Sequence, residues 1–133
     1  MREYARLQTA NLLRRFAFQL TRTARSGDAE SIHDLRVAIR RLSRCLRVFS
    51  QFYPDRSAEK IRRRLAAVMA LAADVRDRDV ALELLAEAGV SRRSAVVARL
   101  QAERARALRE LLLEVVRRTR KSFSQHWRAR LEL

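Results

Sequence analysis

Apolar residues recur every three or four positions along almost the whole chain, and nowhere do they alternate as they would in a strand. Residues 2 to about 25 place Leu13, Phe16, Ala17 and Leu20 on one helical stripe. Ser26-Gly27-Asp28 interrupts that stripe, and Asp28 is suited to N-cap the next helix. The second helix is expected to run to about Phe52, because Tyr53-Pro54 disfavours continuation. Asp55 or Ser57 can cap a third helix whose stripe is Ile61, Leu65, Val68, Ala72 and Val75, with a kink or short loop around Asp74 to Asp79. A short helix follows and stops at Gly89, a C-cap. Ser91 can cap a long segment carrying Leu100, Leu108, Leu111, Leu112 and Val115. Its pattern weakens around Thr119 to Ser122, where a last short helix begins. The expected fold is all-α: one domain over residues 1–133, an antiparallel helical bundle of about four to six helices joined by short loops.

The second helix has two chemically distinct sides. At about 100° per residue, His33, Arg36, Arg40, Arg44 and Arg47 share an arc of roughly 80°. Leu35, Ile39, Leu42, Leu46 and Phe49 share another, centred about 140° away. The leucine-side spacings of four and three residues are those of a bundle seam. The basic residues form a ladder about 20 Å long. Like charges at these spacings cost a few tenths of a kcal/mol per pair, a cost that an arriving polyanion would offset. A plain solvated basic face is the alternative.

Composition strengthens the first reading. The chain has 30 basic and 15 acidic residues in 133, a net charge of +15. Such a balance points to a polyanion: nucleic acid, inorganic polyphosphate, a phosphorylated ligand or an anionic membrane surface. Only Lys60 and Lys121 are lysines, and arginine grips phosphate oxygens two at a time. A GC-rich coding sequence also enriches arginine, but it does not account for the net charge. Cys45 is the lone cysteine, so no intrachain disulfide forms and a reducing compartment fits. Without an apolar run of about 20 residues, or an apolar core at its start, the chain is expected to be cytoplasmic.

Catalysis and metal binding find little support. There is no glycine-rich phosphate loop or Walker-type lysine, and no local nucleophile–base pair. His33 and His126 are too far apart in sequence to suggest a ligand pair. Asp77 and Asp79 resemble a metal-binding acidic pair, but the flanking Arg76 and Arg78 would repel a divalent cation. The expectation is a non-enzyme without cofactor or metal. His126, beside Trp127, reads as packing or surface, and Cys45 as a buried small hydrophobe. His33 is either a neutral first-turn histidine or a cation held protonated by phosphate.

The segment Ile32-His33-Asp34-Leu35-Arg36-Val37-Ala38-Ile39-Arg40-Arg41-Leu42 resembles the signature of the CHAD family, the conserved-histidine α-helical domain. Val75-Arg76-Asp77-Arg78-Asp79-Val80 is similar to that family's second hallmark, a V-R-D-x-D-V turn between two helices. The two motifs stand in the family's order and cover residues from about 28 to 85. The resemblance implies an all-helical domain that binds inorganic polyphosphate through basic surfaces, often with polyphosphate granules or beside triphosphate tunnel enzymes. It carries a binding role onto His33, Arg36, Arg40, Arg44 and Arg76. Arg47 joins them on the ladder, and Lys60, Arg63 and Arg64 on periodicity alone. Asp77 and Asp79 then read as a helix N-cap and as partners that orient arginines, and Asp34 as support for the first turn through the helix dipole.

The chain also departs from the family. CHAD domains usually consist of two similar helical halves, and no second H-x-L-R-like segment occurs here. The chain resembles one half, which a symmetric homodimer or another chain would complete. Ala66, Ala67 and Ala70 stand where relatives often carry basic residues. The leading expectation is polyphosphate binding, with localisation at granules and a partner enzyme of phosphate metabolism. The alternative is a helical protein that binds the phosphate backbone of nucleic acid; single-strand stacking is disfavoured because Phe16, Phe18, Phe49, Phe52, Tyr53, Phe123 and Trp127 mostly fall at core spacings. A third class is a structural subunit that docks a partner enzyme onto granules.

Overall fold

The computed structural model describes residues 1–133 except Asp55 and Lys121, and for Thr119 and Arg120 the backbone alone. It contains α1 (Arg2–Arg25), α2 (Ala29–Val48), a 3-10 turn (Ser50–Phe52), α3 (Ser57–Glu87), α4 (Ala95–Arg120) and α5 (Phe123–Arg130), with no strand among the described residues. Sequential helices pack along one another, α1 on α2, α2 on α3 and α3 on α4, while α5 folds back against α1 and α4. The all-α bundle expected from the periodicity is the fold observed.

Each helix buries the stripe that its spacing marks. Leu13, Phe16 and Leu20 of α1 meet Ile32, Leu35, Ile39, Leu42 and Leu46 of α2 in one core. Ile61, Leu65, Val68, Ala72 and Val75 of α3 join them, and Leu111 and Val115 of α4 complete the layer. Burying a large apolar side chain contributes about 1.5–3 kcal/mol, so packing rather than helix propensity holds these elements together. Trp127 stacks parallel to Phe16 at 5.9 Å, and Phe123 meets both edge-on, which docks the short α5. Phe18 departs from the core expectation: it lies on the outer side of α1 and is 65% exposed.

Local capping chemistry explains the boundaries. The Asp28 carboxylate accepts the Ser31 N–H at 2.8 Å, the N-cap expected for α2. Gly27, at φ +65, turns the chain between α1 and α2 where a Cβ would meet Leu108 at 3.0 Å. The α-helix α2 ends at Val48, and the 3-10 turn carries the chain to Phe52. Asp55, one of the two caps considered for α3, lies outside the described residues. Ser57 is the first helical residue rather than the cap, and Arg56 precedes it at φ 56. Ser94, not Ser91, accepts from the Val97 N–H at the start of α4.

The main correction concerns residues 74–79. No kink or loop occurs there: α3 runs unbroken from Ser57 to Glu87, and the V-R-D-x-D-V segment is helix interior. The buried positions 61, 65, 68, 72, 75 and 79 continue the same four-three spacing through it. Asp79 can occupy that stripe because Arg104 of α4 reaches it, forming an ion pair from Nε and donating from Nη2 to the Gly27 carbonyl at 2.9 Å. Asp79 therefore orients an arginine, as expected, but it caps no helix. α3 ends at Glu87 and turns through Gly89, where the Val90 N–H bonds Leu85 O and the Gly89 N–H bonds Ala86 O, a Schellman arrangement. The separate short helix expected before Gly89 is the last part of α3.

Candidate functional site

Because Ile32, Leu35, Ile39, Leu42 and Leu46 face the core, the opposite side of α2 must face outward. It presents His33, Arg40, Arg44 and Arg47 exposed, with Arg36 half-buried. Between this side and α3 lies a groove of ≈ 290 Å³. Arg40, Arg44, Arg47 and Ser43 of α2 line it, Arg62 closes it from α3, and Ile39 and Met69 form an apolar floor. Ala66 also lines it, and its small side chain leaves the space open.

The guanidinium groups here lack carboxylate partners. Among the described residues, none of Arg36, Arg40, Arg44, Arg47 and Arg62 lies within ion-pair distance of an acid. The Nε atoms of Arg36 and Arg62 are buried with no hydrogen-bond acceptor among the described residues. A buried donor without a partner costs about 1–3 kcal/mol. Burial pushes the Arg36 guanidinium below its ordinary pKa; the positive charges of Arg40 and Arg76 push the same way, and Asp77 opposes them. Arg36 and Arg40 on α2 and Arg76 on α3 thus form one group of neighbouring cations at the α2–α3 seam. Its arrangement can hold an anion by multivalent, charge-assisted hydrogen bonds.

The structure separates the other candidates. Arg76 is half-buried and has Glu83 at 3.7 Å. His33 is exposed in the first turn of α2, one helical turn before Arg36. Arg63 pairs with Glu59 at 2.8 Å, and Lys60 is exposed without lining the groove. Arg64 lines a different cavity, beside Arg118, His126 and Trp127 of α4 and α5. Periodicity had grouped Lys60, Arg63 and Arg64, yet the basic α3 residue that lines the groove is Arg62. The stripe Arg62, Ala66, Met69 and Arg76, spaced by four, three and seven, was the available signal.

The remaining polar side chains have local partners or surface positions. The Asp34 carboxylate pairs with Arg22 of α1, so it ties two helices together rather than supporting the first turn. Cys45 is buried, with Thr9 Oγ1 3.4 Å from its sulfur, and burial pushes the thiol pKa up. His126 is exposed. Among the described residues, no group of three or more His, Cys, Asp and Glu side chains gathers where a metal could sit. Nor is any helix there long and apolar enough to cross a membrane.

Comparison with known proteins bears on the two sequence motifs. No curated protein and no solved structure gives a significant match to the chain. The family model for the CHAD domain matches residues 8–133, well beyond the stretch that carries the motifs. With nearly its whole length matched, and with the motif helix forming one wall of an arginine-lined groove, the chain belongs to the CHAD domain family.

Proposed function

We propose that the α2–α3 groove binds inorganic polyphosphate, with Arg40, Arg44, Arg47 and Arg62 gripping successive phosphates. Arg36 and His33 extend the row along α2, and Arg76 adds to it from α3. The observation that carries this reading is the groove of guanidinium groups from two helices, none ion-paired among the described residues. Family membership supports it, since CHAD domains in general bind polyphosphate. The remaining groove surface is aliphatic apart from the Ser43 hydroxyl, which favours a binding module over a catalyst. A flexible inorganic chain suits a groove without aromatic side chains for bases to stack on.

The reading extends to assembly. A twofold dimer would set two arginine rows against one polyphosphate chain and supply the half that the sequence lacks. Cytoplasmic polyphosphate granules are the setting we infer, with an enzyme of phosphate metabolism as partner. Long chains should bind better than short ones, because each engaged phosphate raises the local concentration of the next.

Competition binding across a salt series tests this, using long-chain polyphosphate, tripolyphosphate and duplex DNA in one buffer. The expected order places long-chain polyphosphate first, with affinity falling log-linearly as salt rises. Arg36→Glu with Arg40→Glu should abolish binding while leaving helicity intact by circular dichroism. Tighter binding of duplex DNA at equal phosphate would overturn the proposal. Light scattering across a dilution series tests the dimer, which a strict monomer at high concentration would exclude.

A further inference from the structure

A second basic cavity, of ≈ 510 Å³, lies on the other flank of α2, between it and α1. Arg14 and Arg15 of α1 and Arg41 of α2 line it, all three exposed and without an acid partner among the described residues. Its one acid is Asp34, already engaged by Arg22. The amides of Asn11 and Gln19 stand along the same wall.

Phe18 sets this cavity apart from the polyphosphate groove. It is 65% exposed and has no ring neighbour among the described residues. The other aromatic side chains are all accounted for. Tyr4 meets Phe49 edge-on, Phe49 meets Phe52, Phe16 packs with Phe123 and Trp127, and Tyr53 is buried on Thr9. An unstacked ring among free arginines is suited to a ligand that is anionic at one end and flat at the other. Inorganic polyphosphate has no flat group to offer, and a duplex keeps its base faces covered. A volume within the usual range for small-molecule sites, about 300–1,000 Å³, with a single exposed ring, suits one nucleotide rather than a strand.

We propose that the α1–α2 cavity is a second ligand site, for a nucleoside diphosphate or triphosphate. The base stacks on Phe18, its edge meets the neighbouring Gln19 amide, and Arg14, Arg15 and Arg41 hold the phosphates. The site is independent of the α2–α3 groove.

Titration calorimetry with ADP, pyrophosphate and adenosine tests it, with long-chain polyphosphate measured on the same samples. ADP should bind once per chain and more tightly than either fragment. Phe18→Ala should weaken ADP about tenfold, the loss expected for one base–aromatic stack, while pyrophosphate and long-chain polyphosphate bind as before. Phe18→Tyr should retain ADP binding, and Arg41→Glu should weaken ADP and pyrophosphate alike. Circular dichroism checks that the variants fold, as expected for exposed positions. Pyrophosphate binding as tightly as ADP, or an unchanged ADP affinity in Phe18→Ala, would overturn the proposal. So would a shift from dimer to monomer in Phe18→Ala, which would mark the ring as a subunit contact. Failure of polyphosphate binding with ADP binding intact would count against the groove alone.

Discussion

Arg62 and Arg63 are adjacent in sequence yet lie about 100° apart around α3. That rotation gives them different surroundings. Arg62 is half-buried, its Nε shut off from solvent and unpartnered, on the side facing α2. Arg63 is exposed and paired with the Glu59 carboxylate one turn back. Exposed helix pairs of that kind contribute only about 0.3–0.5 kcal/mol. Arg62→Glu is therefore expected to weaken polyphosphate binding about tenfold or more, on the scale of one charge-assisted hydrogen bond. Arg63→Glu should change it less than about threefold, a screened surface-charge effect. Equal losses in the two variants, measured by titration at fixed salt, would contradict the placement of the groove. The sequence did not discriminate them, because both flanks of the α3 stripe are basic and only contact with α2 selects one.

Helix boundaries follow from local chemistry where a cap is present and from packing where it is not. At the start of α2 the cap decides. The Ser31 backbone N–H and then its hydroxyl hold the Asp28 carboxyl below its ordinary range. A carboxylate whose pKa is depressed on folding adds stability above its unfolded-state pKa, and that stability is lost as pH falls through the folded value. Asp28→Ala should therefore lower the melting temperature at neutral pH, with the deficit closing in strong acid, where the native carboxyl is protonated too. Thermal melts of both proteins across that pH range would show it, and a deficit independent of pH would assign the loss to something other than the cap charge. In α3 packing decides. The Val75–Val80 motif resembles a family hallmark expected to turn between two helices, yet the stripe through Val75 and Asp79 has no gap. Whether Asp79 could lie in that stripe depended on Arg104, 25 residues away in sequence, which no local pattern shows.

At the scale of the molecule, a net charge of +15 is carried by a small bundle, with a row of arginines along the α2–α3 seam. Arg36, Arg40 and Arg44 repeat at intervals of four, and the Arg36 guanidinium is pushed below its ordinary pKa by burial first and then by its cationic neighbours Arg40 and Arg76. Like-charge pairs at this interval each cost a few tenths of a kcal/mol. Replacing Arg40 and Arg44 together with glutamine should thus raise the melting temperature of the ligand-free protein slightly at low salt. The same double variant should lose most of the thermal shift that polyphosphate confers on the parent, since a ligand stabilises only the state it binds. Scanning calorimetry with and without polyphosphate measures both. A ligand-free protein less stable than its parent would show that the two arginines support the fold rather than burden it.

The sequence by itself determined that the chain is helical, which side of each helix is apolar, and that one side of α2 is a cationic ladder. These depend on spacing within a single helix, where 3.6 residues per turn relates number to direction. The two motifs likewise indicated the family before any coordinates. Only the tertiary structure decided that the second motif is helix interior, that Arg62 rather than Arg63 faces the ladder, and that Phe18 stands in the open between free arginines. Each of those outcomes depends on how helices are rotated and seated against one another. That seating is set by the sum of many small packing contacts across the core, and no single segment of the chain contains it.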